Sequence, residues 1–194
     1  AKVAGSSLGA TYTMPAADGA AGEFLKTDGS TNLSFGSAAA GGKILQVVSA
    51  AKTDTFSHNT TSWVDITDMT VSITPAATSS RIYVSSSIST GQKGTASYFW
   101  IQLVRDSTEI FIGDAAGSRH RVTESGGSGA DTASMSLRAI SYVDSPNTTS
   151  STTYKIQMKC QNTDPQYINR SYTDTDGTAY ARGASSIIVM EIGV

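Results

Sequence analysis

The chain has 194 residues, of which 15% are charged, and its formal net charge is −2 at pH 7. The charged fraction is well below the usual ~25%. Nothing in the sequence supplies the basic face that binding to phosphate backbones requires, so no nucleic-acid partner is expected. No apolar run approaches the ~20 residues of a membrane-spanning helix, so membrane insertion is not expected either.

The first predicted region, residues 1–42, is an extended shaft or linker segment. It is rich in Gly, Ala, Ser and Asp-Gly pairs and has few bulky apolar residues. Two β-favouring stretches, Tyr12–Gly19 and Phe24–Gly29, each end in Asp-Gly, a tight-turn signal because Gly accepts positive φ. The segment has too little apolar area to fold alone. Two interpretations stay open: a flexible linker, or a shaft ordered by wrapping with identical copies.

The second predicted region, residues 43–194, is a β-sandwich head domain. Polar and apolar residues alternate with a period of two in many short stretches, and no window shows a helical stripe. This pattern predicts an all-β fold with antiparallel strands, as in sandwiches and barrels. The predicted strands are Lys43–Ala50, Ser62–Thr74, Arg81–Thr90, Tyr98–Arg105, Glu109–Gly113, Thr132–Asp144, Thr153–Gln161, Gln166–Ser171 and Ser186–Ile192.

The alternation also predicts which side chains form the core. We expect Ile82, Val84 and Ile88 to point inward, and likewise Tyr154, Ile156, Met158 and Cys160. Cys160 is the single cysteine, so it cannot pair within the chain, and a small buried hydrophobe is the favoured interpretation. Trp63 and Trp100 fall within strand-like runs, so we expect both in the core and expect Trp100→Ala to abolish the folded head.

The sequence offers little catalytic chemistry. A Gly-x-Ser-x-Gly string occurs at Gly5–Gly9, but no helix follows it as a nucleophile elbow requires. No His or Cys spacing is typical of a metal site, so we expect no catalytic residues, no metal and no cofactor. Asp174–Gly177 resembles the start of a calcium loop but lacks the remaining ligands. An Asp-Gly turn is favoured there, and an ion shared on a trimer axis stays open.

Two stretches carry the predicted ligand-binding residues. Arg119, His120 and Arg121 form a small basic cluster in a predicted loop. The cluster is either solvated or paired with Asp114 and Glu124, or it contacts an anionic ligand.

The second stretch, residues 167–183, is dense in Tyr, Arg and Asp, groups that suit recognition. We predict Tyr172, Tyr180 and Arg182 as ligand contacts. The alternative is that Arg170 and Arg182 hold loops through carboxylates, with the tyrosines half-buried.

Several sequence strings resemble those of a known protein family. Tyr12–Phe35 resembles the Pro…Asp-Gly…Leu-x-Thr-Asp-Gly…Leu-Ser-Trp/Phe segments of bacteriophage fibres, especially those of marine and cyanobacterial phages, with Phe35 as the terminal aromatic. Residues 42–194 resemble the head domains that follow such segments. The matching strings are Lys43–Val48, Val71–Pro75, Gly113–Arg119 and Arg182–Ser185.

The resemblance implies a homotrimer of jelly-roll sandwiches of the tumour-necrosis-factor-like kind. The N-terminal segments would interlock into a shaft and contact other virion proteins. Asp114–Arg119 and Arg170–Arg182 include strings typical of the family, so they are candidates for framework. Host-range contacts would then lie in Gln92–Ser97 and Glu124–Asp131.

Two functions follow for a protein on the virion surface. The first is the receptor-binding tip of a phage tail fibre, which binds a bacterial surface glycan or protein. The alternative is a capsid decoration or head-fibre protein with little receptor binding. A depolymerase would need two paired carboxylates at glycosidase separation, and no acidic motif here suits that role.

Overall fold

The computed structural model of the chain describes residues 2–4, 11–37, 42–91, 97–127 and 131–193. It divides into two compact units, Ala1–Gly42 and Lys43–Val194. The regular elements among the described residues are all β-strands. Within the same ranges, no helix is long and apolar enough to cross a membrane.

The first unit consists of two small antiparallel pairs. Strand β1 (Lys2–Ala4) pairs with β2 (Thr11–Thr13), and β3 (Glu23–Thr27) pairs with β4 (Leu33–Ser37). The loop between β3 and β4 is built on Asp28, whose carboxylate accepts the backbone N–H of Ser30 at 2.8 Å and the side-chain amide of Asn32 at 2.7 Å. These hydrogen bonds, led by the one from Asn32, lower the pKa of Asp28.

One of the two predicted Asp-Gly turns is formed and the other is displaced. Gly29 has φ +81° in the β3–β4 loop, as its Asp-Gly signal predicts. The turn before β3 lies at residues 21–22 instead, where Gly22 has φ +88°. Gly19 instead lets the Phe35 ring pack closely on the backbone, because a Cβ at this position would lie 2.5 Å from the ring.

The second unit contains eleven described strands in two sheets, and every strand pair is antiparallel. In chain order they are β5 (Lys43–Lys52), β6 (Phe56–His58), β7 (Val64–Ile73), β8 (Arg81–Gly91), β9 (Phe99–Arg105), β10 (Thr108–Ile110), β11 (Glu124–Gly126), β12 (Met135–Asp144), β13 (Thr152–Cys160), β14 (Gln166–Ile168) and β15 (Ser185–Gly193).

The five-stranded sheet places β13 between β7 and β9, and β10 and β11 both pair with the far side of β9. In the six-stranded sheet β8 is central. It pairs with β12 on one side and with β15 and β14 on the other, and these pair in turn with β5 and β6.

The core lies between the two sheets. The predicted inward side chains of β8 and β13 are all buried, which confirms those expectations, Cys160 included. Burying each large aliphatic or aromatic side chain contributes about 1.5–3 kcal/mol. Further core residues are Ile66, Met69, Val71, Ile73, Phe99, Ile101, Leu103, Ile140, Ile168, Ile187 and Val189.

The core also contains polar groups that are satisfied within the head. Arg105 donates to both carboxylate oxygens of Asp144 at 2.8 Å, and the Tyr154 hydroxyl donates to Asp144 at 2.7 Å. Burial, together with this hydrogen bond, raises the pKa of Tyr154. The cost of burying each polar group is thereby offset by a charge-assisted partner.

The expectation that Trp63 and Trp100 lie in the core is wrong. Phe99 and Ile101 take the inward positions of β9, so Trp100 between them points to the outer face of the sheet. Trp63 precedes β7 rather than lying in it, and both indoles are half-buried.

Several predicted strand ends also move. The strand predicted to reach Gly113 ends at Ile110, before Phe111 with φ +54°, and the one predicted to reach Ser171 ends at Ile168, before Asn169 with φ +64°. A positive φ interrupts an extended strand. The three-residue strands β6 and β11 were not predicted, because three residues are too few to show an alternation.

Candidate recognition surfaces

The loop between β14 and β15 is organised around Asp174. Its carboxylate pairs with Arg170 at 3.2 Å and with Arg182 at 2.7 Å. Arg170 also stacks on Tyr167, with its guanidinium carbon 4.1 Å from the ring centroid. A polar cleft of about 350 Å³ opens beside this group, lined by Asp174–Gly177 and Tyr180–Arg182.

This geometry separates the predicted ligand contacts of the loop. Tyr180 and Arg182 line the cleft, and the Arg182 side chain is 58% exposed. Tyr172 is not among the lining residues and packs edge-on against Tyr167, with ring centroids 5.6 Å apart. Both tyrosines are half-buried and both arginines bind one carboxylate, so the arrangement matches the framework alternative.

The basic cluster Arg119–Arg121 lies in the loop between β10 and β11, and all three residues are exposed. Arg121 donates from Nε to the Gly113 carbonyl at 2.7 Å. The His120 ring packs on Trp100, with centroids 4.2 Å apart and planes at 57°. The expected partner Glu124 pairs with Arg138 at 3.5 Å instead, because β11 places Glu124 beside β12.

The two loops proposed for host-range contacts are described only in part. Residues 92–96 and 128–130 lie outside the described residues. Ser97 is fully buried and receives a hydrogen bond from Gln166 at 2.6 Å, so it is no surface contact. Residues 124–126 form β11, so the start of the second predicted loop is part of a sheet.

The outer face of the six-stranded sheet carries no charge over its central rows. One row runs across four strands through Ser141, Ser85, Ile188 and Ser49. We call this surface the uncharged face. Its outward residues are Val47, Ser49, Ala51, Tyr83, Ser85, Ser87, Ser89, Leu137, Ala139, Ser141, Val143, Ser186, Ile188 and Met190.

The outer face of the five-stranded sheet carries a row of aromatic and cationic side chains that the sequence analysis did not propose as a site. Lys159 lies opposite Trp100, and its Nζ is 5.7 Å from the Trp100 ring centroid and 5.8 Å from that of Trp63. His120 packs on Trp100. We call Trp63, Trp100, His120 and Lys159 the aromatic row. The alternation along β9 could have indicated this face, because Trp100 lies on the same side of the strand as Gln102 and on the opposite side from Phe99.

No catalytic or metal centre emerges from the described side chains. Over those ranges, no three His, Cys, Asp or Glu residues are grouped to hold a metal ion. Burial raises the pKa of Cys160 to about 11, so its thiol is protonated at neutral pH. The Gly5–Gly9 string lies outside the described residues.

Comparisons with known proteins return structures only. No family model matches the chain, and no curated protein sequence matches it. The structure of infectious bursal disease virus, Gt strain, is similar to 83% of this chain, at 13% identity and a TM-score of 0.45. For the Gx strain the corresponding values are 82%, 11% and 0.41. The chain spans 40% and 42% of those two chains. Because both TM-scores are below 0.5, this likeness assigns no function to the chain.

Proposed function

We propose that the chain is a virion surface fibre protein: a homotrimeric, non-catalytic tip that adheres to a bacterial surface glycan or protein. The observation that carries the proposal is the first unit. It forms regular strand pairs, yet none of its residues 11–37 is buried. Phe24 and Leu25 are 63% and 47% exposed.

A short hairpin without a buried face is marginally stable in water. The strands of this unit therefore need apolar surface from elsewhere. Identical copies wrapped together supply it, which is the shaft interpretation of residues 1–42. The resemblance of Tyr12–Phe35 to bacteriophage fibre segments supports the same conclusion from the sequence.

The uncharged face of the head supports assembly as well. Four strands about 4.8 Å apart, each some ten residues long at about 3.3 Å per residue, present on the order of 600 Å². A standard interface buries about 800 Å² per partner. A face without charge can pack against a copy of the same chain without burying an unpaired ion. In a trimer of jelly-roll heads, we assign this face to the contacts between copies.

Adhesion would then come from three linked copies. Each single site can be weak, because linking raises the effective concentration of the others without any new contact. The half-buried Tyr180 and the exposed Arg182 line the cleft and are available to a surface ligand.

The experiment has two parts. Light scattering of the purified chain should give the mass of a trimer of 20.1 kDa chains, and a monomer at micromolar concentration contradicts the proposal. The trimer should then adsorb to host bacteria identified by screening. Tyr180→Ala with Arg182→Ala should weaken adsorption if the cleft is the contact, and should leave the mass of the trimer unchanged.

One observation favours the second function, a capsid decoration or head-fibre protein with little receptor binding. Asp174 is held by two arginines, which is what a loop framework requires and which leaves fewer groups for a ligand. A cryo-EM map of the intact particle distinguishes the two, since the decoration function places the chain on a capsid symmetry axis and the adhesin function places it at the tail.

A further inference from the structure

Three neighbouring strands bring the aromatic row together across the sheet. Trp100 on β9 lies directly opposite Lys159 on β13. On the other side of β13, Met158 pairs with Val64. Because the strands are antiparallel, Trp63, which precedes Val64, lies beside Lys159, which follows Met158. Both indoles flank one ammonium, at 5.8 and 5.7 Å from its nitrogen to the ring centroids. Adjacent strands are about 4.8 Å apart, so the two indoles stand about 10 Å apart.

The row lies on the surface. All the large inward side chains of β9 and β13 are fully buried, whereas Trp63, Lys159 and Trp100 are half-buried and His120 is exposed. Indole rings are the largest apolar surfaces that a protein possesses and are usually packed away. Both tryptophans of this chain instead present part of their surface on the same face.

Three cations lie in the row or next to His120 in sequence: Lys159, Arg119 and Arg121. No described carboxylate forms an ion pair with Lys159, Arg119 or Arg121.

The nearby acidic groups are already engaged. Asp65 accepts hydrogen bonds from Lys155 at 3.0 Å and from Gln157 at 2.7 Å. Although desolvation opposes the shift, these bonds lower the pKa of Asp65. Glu124 pairs with Arg138. The cations next to the indoles are therefore the groups left to bind an anion.

We propose that the aromatic row is a binding site for an anionic saccharide, one that carries carboxylate or sulfate groups. The C–H faces of two successive sugar rings pack on Trp63 and Trp100, and the ammonium of Lys159 between them pairs with the anionic group. Arg119 and Arg121, on either side of His120, extend the positive charge along the chain of the saccharide. This inference deepens the proposed adhesive function by naming the ligand class, and it places the site on the opposite sheet from the cleft.

The experiment uses tryptophan fluorescence, because both tryptophans of the chain lie in the row. The probes are hexagalacturonate, a sulfated heparin hexasaccharide, and fully methyl-esterified hexagalacturonate as the uncharged match. We expect at least one charged probe to change the emission saturably, and the esterified probe to bind at least about tenfold more weakly. Calorimetry on the full chain provides the dissociation constants.

Three variants test the residues. Trp63→Ala, Trp100→Ala and Lys159→Met should each weaken the charged probe at least about tenfold, since a desolvated cation–π or stacking contact contributes roughly that much. Lys159→Met keeps the apolar stem and should leave the thermal midpoint within a few degrees, which separates binding from folding. Lys43→Met, at an exposed lysine of β5 in the other sheet, is the matched control and should bind as the unaltered chain does.

The outcomes separate this inference from the adhesive function. Absence of binding to both charged probes at millimolar concentration overturns the saccharide site, as does full binding by folded Trp100→Ala or Lys159→Met. Equal binding of the esterified probe overturns its anionic character. If Lys159→Met loses probe binding but still adsorbs to bacteria, the protein is an adhesin whose contact with the bacterium is not this row. Probe binding without any adsorption contradicts the adhesin alone.

Discussion

The two outer faces of the sandwich are built from the same kind of strand and carry opposite chemistry. Both belong to antiparallel sheets whose inward side chains form one core. Over its central rows the six-stranded sheet turns Ser, Ala, Val and Ile outward, and it places Lys52 and Glu191 inside, where both are fully buried. The five-stranded sheet turns Lys155, Lys159 and two indoles outward. The core constrains the inward positions alone, so the two outer faces are free to differ in chemistry.

The division between inner and outer positions gives the largest expected effect. Phe99 and Trp100 are neighbours in β9, but Phe99 is fully buried and Trp100 is half-buried on the outer face. Phe99→Ala should cost about 3–5 kcal/mol because it leaves a cavity. Trp100→Ala should cost about 1 kcal/mol, and chemical denaturation measures both. Equal losses would mean that Trp100 belongs to the core after all.

The same pair shows how far the sequence predicts the fold. In β8 and β13 polar and apolar residues alternate strictly, so the phase of the strand is unambiguous and the core residues were predicted correctly. In β9 both phases contain large apolar residues, with Trp100 and Val104 opposing Phe99, Ile101 and Leu103. Hydrophobicity alone does not choose between them. Gln102, in the phase of Trp100, was the local signal that this side lies away from the core, although Gln102 is itself only 4% exposed.

The second prediction concerns assembly through the uncharged face. Ser85→Glu places a charge at the centre of that face. If the face packs between copies, each buried unpaired carboxylate costs several kcal/mol, roughly 3 per contact. The trimer should then dissociate at concentrations at least about a hundredfold higher than the unaltered chain does, as analytical ultracentrifugation measures.

Ser125→Glu is the matched control for that experiment. Ser125 is exposed and lies opposite Trp100 in the five-stranded sheet, so the same substitution is made beside the aromatic row. Its trimer should remain intact. Dissociation of both variants, or of neither, would show that the two faces do not differ in the way proposed here.

The third prediction concerns the inward charge of the six-stranded sheet. Glu191 accepts a hydrogen bond from Gln46 at 2.5 Å and one from the backbone N–H of Ala76 at 2.7 Å. Although desolvation opposes the shift, these partners and Ser80 lower the pKa of Glu191. The folded state therefore binds a proton more weakly than the unfolded state. This contribution to stability is complete above the ordinary carboxyl pKa of about 4.3 and is lost as the pH falls through the lowered folded value.

Thermal unfolding from pH 7 to pH 3 measures this contribution. Glu191→Gln should lower stability at pH 7 by about 2 kcal/mol, the scale of one lost hydrogen bond to a charged group. It should also flatten the dependence on pH below about 5. An unchanged slope in the variant would assign the acid sensitivity to other carboxylates.

The aromatic row was harder to predict than the core, for a physical reason. Trp100 and Lys159 are far apart in sequence, and only the register of β9 against β13 makes them neighbours. No local pattern sets that register. By contrast, Arg170, Asp174 and Arg182 lie within one loop, so the alternative that arginines hold it through a carboxylate was open to sequence reasoning. Contacts within a loop are predictable at the level of residue types, whereas a site built across strands depends on the completed sheet.

The smallest expected effect tests whether the outward charges of the five-stranded sheet stabilise the fold or serve its surface. Lys155 and Asp65 form an ion pair at 3.0 Å, with the Asp65 side chain 49% exposed. Solvent screens such a pair, so its contribution is typically below about 1 kcal/mol. Asp65→Asn should therefore shift stability by less than that amount, and the shift should shrink further in high salt.

The same substitution frees Lys155 and raises the positive charge on the face that carries Lys159. Binding of hexagalacturonate should consequently be unchanged or slightly tighter. A fall in stability of more than 2 kcal/mol, about twice the upper end for such pairs, would instead show that the outward charges stabilise the sandwich.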